Sequence, residues 1–131
     1  MHAPKIFLLA AAAGLTPIAL SYGAKPHSSI PFLFDFSVDG VNAAHIFRVV
    51  MGLYLAQAVF WIAGALKSTL TTAALWSVIV FMWGLALGRF LSLIVDGVPE
   101  PILVVYLLLE VGFGVLGCLL LRKHLANTPS S

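Results

Sequence analysis

The chain has 131 residues, 61% of them hydrophobic and only 9% charged, with seven Lys and Arg against five Asp and Glu for a formal charge of +2. Soluble domains carry roughly a quarter charged residues, so water is the wrong solvent for this chain, and so small and dispersed a positive charge excludes a nucleic-acid footprint. The single cysteine, Cys118, can close no internal disulfide and lies in an apolar run as a small hydrophobe, and no Cys or His spacing of metal-ligand type is present.

The first apolar run covers residues 6–22. A helix needs roughly 20 residues to cross a bilayer, with a range of about 17–25, so this run just suffices. Lys5, the apolar stretch and Ala24 have the outline of a signal peptide. However, Tyr22 stands where a small residue is wanted and Pro17 interrupts the apolar part, so the run reads as a retained helix. Residues 23–42 form the only long connection, in which Pro26, Pro31 and Gly40 break helix periodicity. The middle of this connection, Ile30-Pro31-Phe32-Leu33-Phe34-Asp35-Phe36, is too apolar for a plain loop. It reads as an outer interfacial segment, with a lid folded over the mouth of the bundle as the alternative.

Three further runs follow: residues 43–66, broken by Arg48 and Gln57; residues 70–95, broken by Arg89; and residues 102–121, broken by Glu110. Each is long enough to span, and a polar residue inside each marks it as part of a bundle. Gln57 is expected to bond a neighbouring helix. Thr71 or Thr72 suits the N-cap of the third span, and Pro101 the first position of the fourth, after the breaker Asp96-Gly97-Val98-Pro99-Glu100. Residues 127–131 read as a disordered tail. The fold class is all-α, a single-domain integral membrane bundle of four transmembrane helices. In this topology Lys5, Lys67, Arg122 and Lys123 share one side, and Lys25, Asp35, Asp39, Asp96 and Glu100 the other. The positive-inside rule then places both termini in the cytoplasm.

Depth picks out a candidate site. At 1.5 Å per residue, Arg48 lies about 8 Å, Arg89 about 10 Å and Glu110 about 13 Å from the outer ends of their helices. Three helices therefore carry their buried charge in one leaflet. Helical spacing adds Asn42, His45 and Gly52 to the face of Arg48, Ser92 and Asp96 to that of Arg89, and Tyr106, Gly114 and Gly117 to that of Glu110. One reading is an ion-paired lock in which Glu110 bridges Arg48 and Arg89, because an unpaired charge in hydrocarbon costs at least about 2.5–3.5 kcal/mol. The other is a polar pocket open to the outer side. Two arginines and one glutamate leave it a net positive charge suited to a phosphate or carboxylate. Ser92 facing a charge is ordinarily a hydrogen-bond partner, and arginines repel a metal cation, so no catalytic residue, metal or cofactor is assigned. The expected partners are a membrane lipid and either another membrane protein or further copies of the chain. Gly84-x-x-x-Gly88 offers a face for close helix contact.

The ordered motifs Asn42…His45-Ile46-Phe47-Arg48-Val49-Val50-Met51-Gly52-Leu53-Tyr54-Leu55, Phe60-Trp61…Gly64-Ala65, Gly88-Arg89…Ser92…Asp96-Gly97…Pro99 and Glu110 run through nearly the whole chain. In them the sequence resembles the bacterial family labelled domain of unknown function 4345. The resemblance implies a small four-helix protein of bacterial inner membranes, with Arg48, Gly52, Tyr54, Arg89, Asp96 and Glu110 at recurring polar and glycine positions. It assigns no activity.

Overall fold

In hydrocarbon a backbone cannot bond water, so each apolar run must close its hydrogen bonds within itself as a helix. The computed structural model describes residues 2–127. It consists of α1 (His2–Gly23), α2 (Pro26–Phe34), α3 (Gly40–Leu66), α4 (Ser68–Val95) and α5 (Pro101–Asn127). All but α2 are long and apolar enough to cross a membrane. They alternate in direction, so one end of the bundle gathers the start of α1, the α3–α4 corner and the end of α5. This basic end carries Lys5, Lys67, Arg122 and Lys123, while α2 and the α4–α5 turn form an acidic end with Asp35, Asp39, Asp96 and Glu100.

The helix limits differ from expectation where hydropathy and hydrogen bonding part company. α5 begins at Pro101 as expected but continues through Arg122, Lys123 and His124 to Asn127. Asn127 is therefore helical, and residues 128–131 of the expected tail lie outside the described residues. Helix α4 begins at Ser68, with Lys67 alone in extended conformation between it and α3. Thr71 and Thr72 are thus inside the helix rather than capping it. The Thr71 hydroxyl donates instead to the Gly64 carbonyl at 2.7 Å, and this pins the corner.

The buried face of α3 is Tyr54, Ala58, Trp61 and Gly64, one helical stripe, and it packs on Phe7, Leu8, Leu15 and Ala19 of α1 and on Leu75, Val78 and Met82 of α4. Trp61 is fully buried, so its indole N–H needs an acceptor. It donates to Ser77 Oγ at 3.1 Å, and the Ser77 hydroxyl donates to Gln57 Oε1 at 2.6 Å. Gln57 thus bonds the neighbouring helix, as its depth suggests.

Small residues set the closest approaches. A Cβ on Gly114 would stand 2.8 Å from the Trp83 ring, and one on Gly117 3.0 Å from Ile79 and 3.2 Å from Phe7. The Gly114–Gly117 stripe is therefore a packing face. Gly84 and Gly88 have nothing within 4 Å, so the face they form is not used within the chain.

The 23–42 segment has helical structure of its own. Its first half is helix α2, entered through Pro26 and ended by Asp35 in the left-handed conformation. Ile30, Phe34 and Val38 turn inward to a small second core with Tyr22, Phe47, Ile102 and Tyr106, so the segment folds over the end of the bundle. Phe32, on the opposite face, is exposed.

Candidate functional site

Arg89 of α4 and Glu110 of α5 meet inside the bundle. The guanidinium Nε of Arg89 donates to Oε1 of Glu110 at 2.8 Å and to Oε2 at 3.0 Å. Glu110 is buried, with 8% of its side chain exposed, against 23% for Arg89. The two helices supply this geometry through the Gly114–Trp83 contact one turn below Glu110, which draws α5 onto α4. Tyr106, one turn above Glu110, lies beneath the guanidinium with its ring centre 5.7 Å from Arg89 Cζ. A cation over an aromatic face is stabilised by the ring quadrupole, so Tyr106 and Glu110 hold Arg89 from two directions.

The pair sits at one end of a cavity of about 70 Å³, walled by Gly14, Leu15, Ile18 and Tyr22 of α1, Tyr54 of α3, Met82 and Leu85 of α4, and Leu109 and Phe113 of α5. Leu109 and Gly14 are exposed, so this crevice opens sideways between α1 and α5, toward lipid. At its acidic end it is roofed. Phe34 of α2 stacks on Tyr22 at 5.6 Å and meets Tyr106 edge-on at 6.2 Å. The apolar face of α2 is thus buried on these aromatics and covers this crevice at its acidic end, leaving it the lateral opening. Arg89 also borders a second hollow of about 90 Å³ between α4 and α5, with Ser92, Gly97 and Pro99.

The other expected residues are spread out. Ser92 donates to Asp96 Oδ2 at 2.7 Å on the exposed end of α4, a local pair one turn beyond Arg89. Arg48 does not reach Glu110, which corrects the three-charge lock. Its guanidinium donates to the Gly23 carbonyl at 3.0 Å and, more weakly, to that of Ala24 at 3.4 Å. It thereby satisfies carbonyls left over at the C-terminus of α1, where a cation also suits the helix dipole. Asn42 and His45 are exposed, and His45 lines an open hollow on α3 with His27 and Arg48. Among the described residues no three His, Cys, Asp or Glu side chains are grouped to hold a metal ion.

The residue-by-residue sequence reading missed α1 with Tyr22, and did not bring Tyr54 to the site. Tyr22 and Tyr54 line the cavity, 5.8 Å apart and edge to face, and the Tyr22 side chain is close enough to Arg89 to interact with it. α1 carries no buried charge, so a search by charged depth passes over it. The available signal was Tyr54 on the buried stripe of α3.

No curated protein and no solved structure matches the chain. A family model matches residues 3–121, which reach from α1 into α5 and hold the whole Arg89–Glu110 site. The chain belongs to the family described as domain of unknown function 4345 (DUF4345).

Proposed function

We propose that the lateral crevice binds one end of a membrane-borne amphiphile, with a polar group at Arg89–Glu110 and its chain leaving between α1 and α5 into the bilayer. The observation that carries this reading is a satisfied ion pair lining a crevice whose other walls are aliphatic and aromatic side chains. With Arg48 elsewhere, one arginine faces one glutamate and the local charge cancels. An uncharged hydroxyl, carbonyl or amide fits that pair better than the anion suggested by counting two arginines. About 70 Å³ is far below the roughly 300–1,000 Å³ of a site that engulfs a small molecule, so only part of the ligand is enclosed. The charge asymmetry between the two ends supports an orientation with both termini in the cytoplasm, and the family resemblance supports a bacterial inner membrane. Reporter fusions at each terminus test that orientation.

The test of the crevice is lipid extraction and native mass spectrometry of the purified protein, wild type against Gly14→Phe. A Cβ at Gly14 meets nothing within 4 Å, so the backbone there admits a side chain on the wall of the crevice. The expected result is a defined lipid in the wild type, lost from the variant at unchanged melting temperature. Equal recovery from both defeats the reading. A second reading, an accessory subunit in which the pair is only a lock, is favoured by one observation. Among the described residues, no buried side-chain nitrogen or oxygen lacks a hydrogen-bond partner. It predicts stoichiometric partner proteins in mild detergent and no specific lipid.

A further inference from the structure

We propose a second binding site, at the basic end, for the phosphate headgroup of an anionic phospholipid in the leaflet at that end. Lys5 in the first turns of α1 and Lys123 near the end of α5 lie far apart in sequence yet line one cavity of about 360 Å³. Ser68 and Thr71 in the first turn of α4, with His124 and Asn127 at the end of α5, complete its polar side, and Leu66 and Leu120 are among its apolar walls. All five side-chain carboxylates, Asp35, Asp39, Asp96, Glu100 and Glu110, belong to the acidic end or to the half of the bundle next to it. The one ion pair among the described residues is Arg89–Glu110. Lys5 and Lys123 therefore share a cavity with no side-chain carboxylate to neutralise them, and Lys67 and Arg122 add to the same field.

An anion at this place offsets the repulsion between the two lysines. The membrane supplies one there, because the cavity lies where the spanning helices emerge among the headgroups. The apolar walls distinguish a lipid from a free anion: they give the glycerol and upper acyl chains a surface that inorganic phosphate cannot use. Basic pockets between spanning helices are a recurrent way to hold anionic lipid headgroups, and each lysine near the surface contributes about fivefold in affinity.

The experiment compares phosphatidylglycerol with phosphatidylcholine of identical chains, bound to the full chain in detergent and followed by native mass spectrometry. Phosphatidylglycerol is expected to bind more tightly, to weaken with added salt, and to lose about 25-fold in affinity in Lys5→Gln/Lys123→Gln. Phosphatidylcholine binding and the melting temperature stay as in the wild type. Arg122→Gln removes a charge at the same end that does not line the cavity, and is expected to cost clearly less than the roughly fivefold loss of Lys123→Gln. Three results overturn the proposal. They are equal binding of the two lipids, equal losses from Arg122→Gln and Lys123→Gln, and displacement of the lipid by millimolar inorganic phosphate. The first denies charge selectivity, the second reduces the site to a diffuse basic surface, and the third makes free phosphate the ligand. Gly14→Phe is expected to keep this binding, so the two sites fail or succeed separately.

Discussion

Removing one charge of the buried pair tests the centre of the structure most directly. Glu110→Gln leaves the Arg89 guanidinium facing a neutral amide. A lone arginine at the centre of a spanning helix costs about 2.5–3.5 kcal/mol on insertion scales. Arg89 recovers part of that cost, because it borders the hollow that leads toward the α4–α5 turn and keeps the Gln oxygen as an acceptor. The expected loss of stability is about 2 kcal/mol. Arg89→Leu is the harsher change. It strands Glu110, whose side chain is only 8% exposed, and is expected to cost about 3–5 kcal/mol. Arg89→Leu/Glu110→Leu removes both charges and both desolvation costs, and is expected within about 1 kcal/mol of the wild type. Reversible unfolding in mixed micelles, followed by far-UV circular dichroism, measures all four proteins. If both single variants fall within about 0.5 kcal/mol of the wild type, the buried pair does not form. If the double variant is as unstable as the worse single, the loss comes from packing and the electrostatic account fails.

Gly114→Leu should force α5 off the Trp83 ring and cost about 1–3 kcal/mol in the same unfolding assay, partly restored by adding Trp83→Ala. Gln57→Leu removes the acceptor of the Ser77 hydroxyl and should cost about 0.6–1.7 kcal/mol, the range of hydrogen bonds between membrane helices. Arg48→Ala should cost no more than about 1 kcal/mol, since Arg48 is exposed and caps a helix end, and it should leave any crevice lipid in place by mass spectrometry. Phe34→Ala should undock α2 from Tyr22 and Tyr106. Hydrogen exchange would read this as fast exchange of the α2 amides with the long helices still protected.

The four spans were legible because hydrocarbon tolerates almost nothing but apolar helices. What hydropathy marks is membrane thickness, so it stopped at Leu121, whereas hydrogen bonding carries α5 on to Asn127. The Arg89–Glu110 pair was legible for a related reason: two opposite charges at similar depth on helices joined by a short turn have few other partners. Arg48 was not, because depth does not fix the direction in which a helix faces. Six residues separate it from Tyr54, which puts it about 120° around α3 from the buried stripe and turns it toward the end of α1. The lid was weighed as an alternative, and its residues show why the composition was ambiguous. Phe34 is buried and Phe32 exposed on one short helix, so an aromatic-rich stretch serves the core and the membrane surface at once.

The side-chain bonds that join the long helices deep in the bundle converge on α4: Gln57, Ser77 and Trp61 tie it to α3, and Arg89 ties it to Glu110 of α5. Ribosomes deliver these partners in order. When α4 enters the bilayer, α3 is already there to receive Ser77, but Arg89 waits without a counterion until the following helix arrives. During that interval the nascent chain carries an orphan charge in the bilayer, at the cost of an unpaired arginine. A chain broken off before Glu110 would keep that charge unpaired, so α4 depends on α5 for its place in the bilayer.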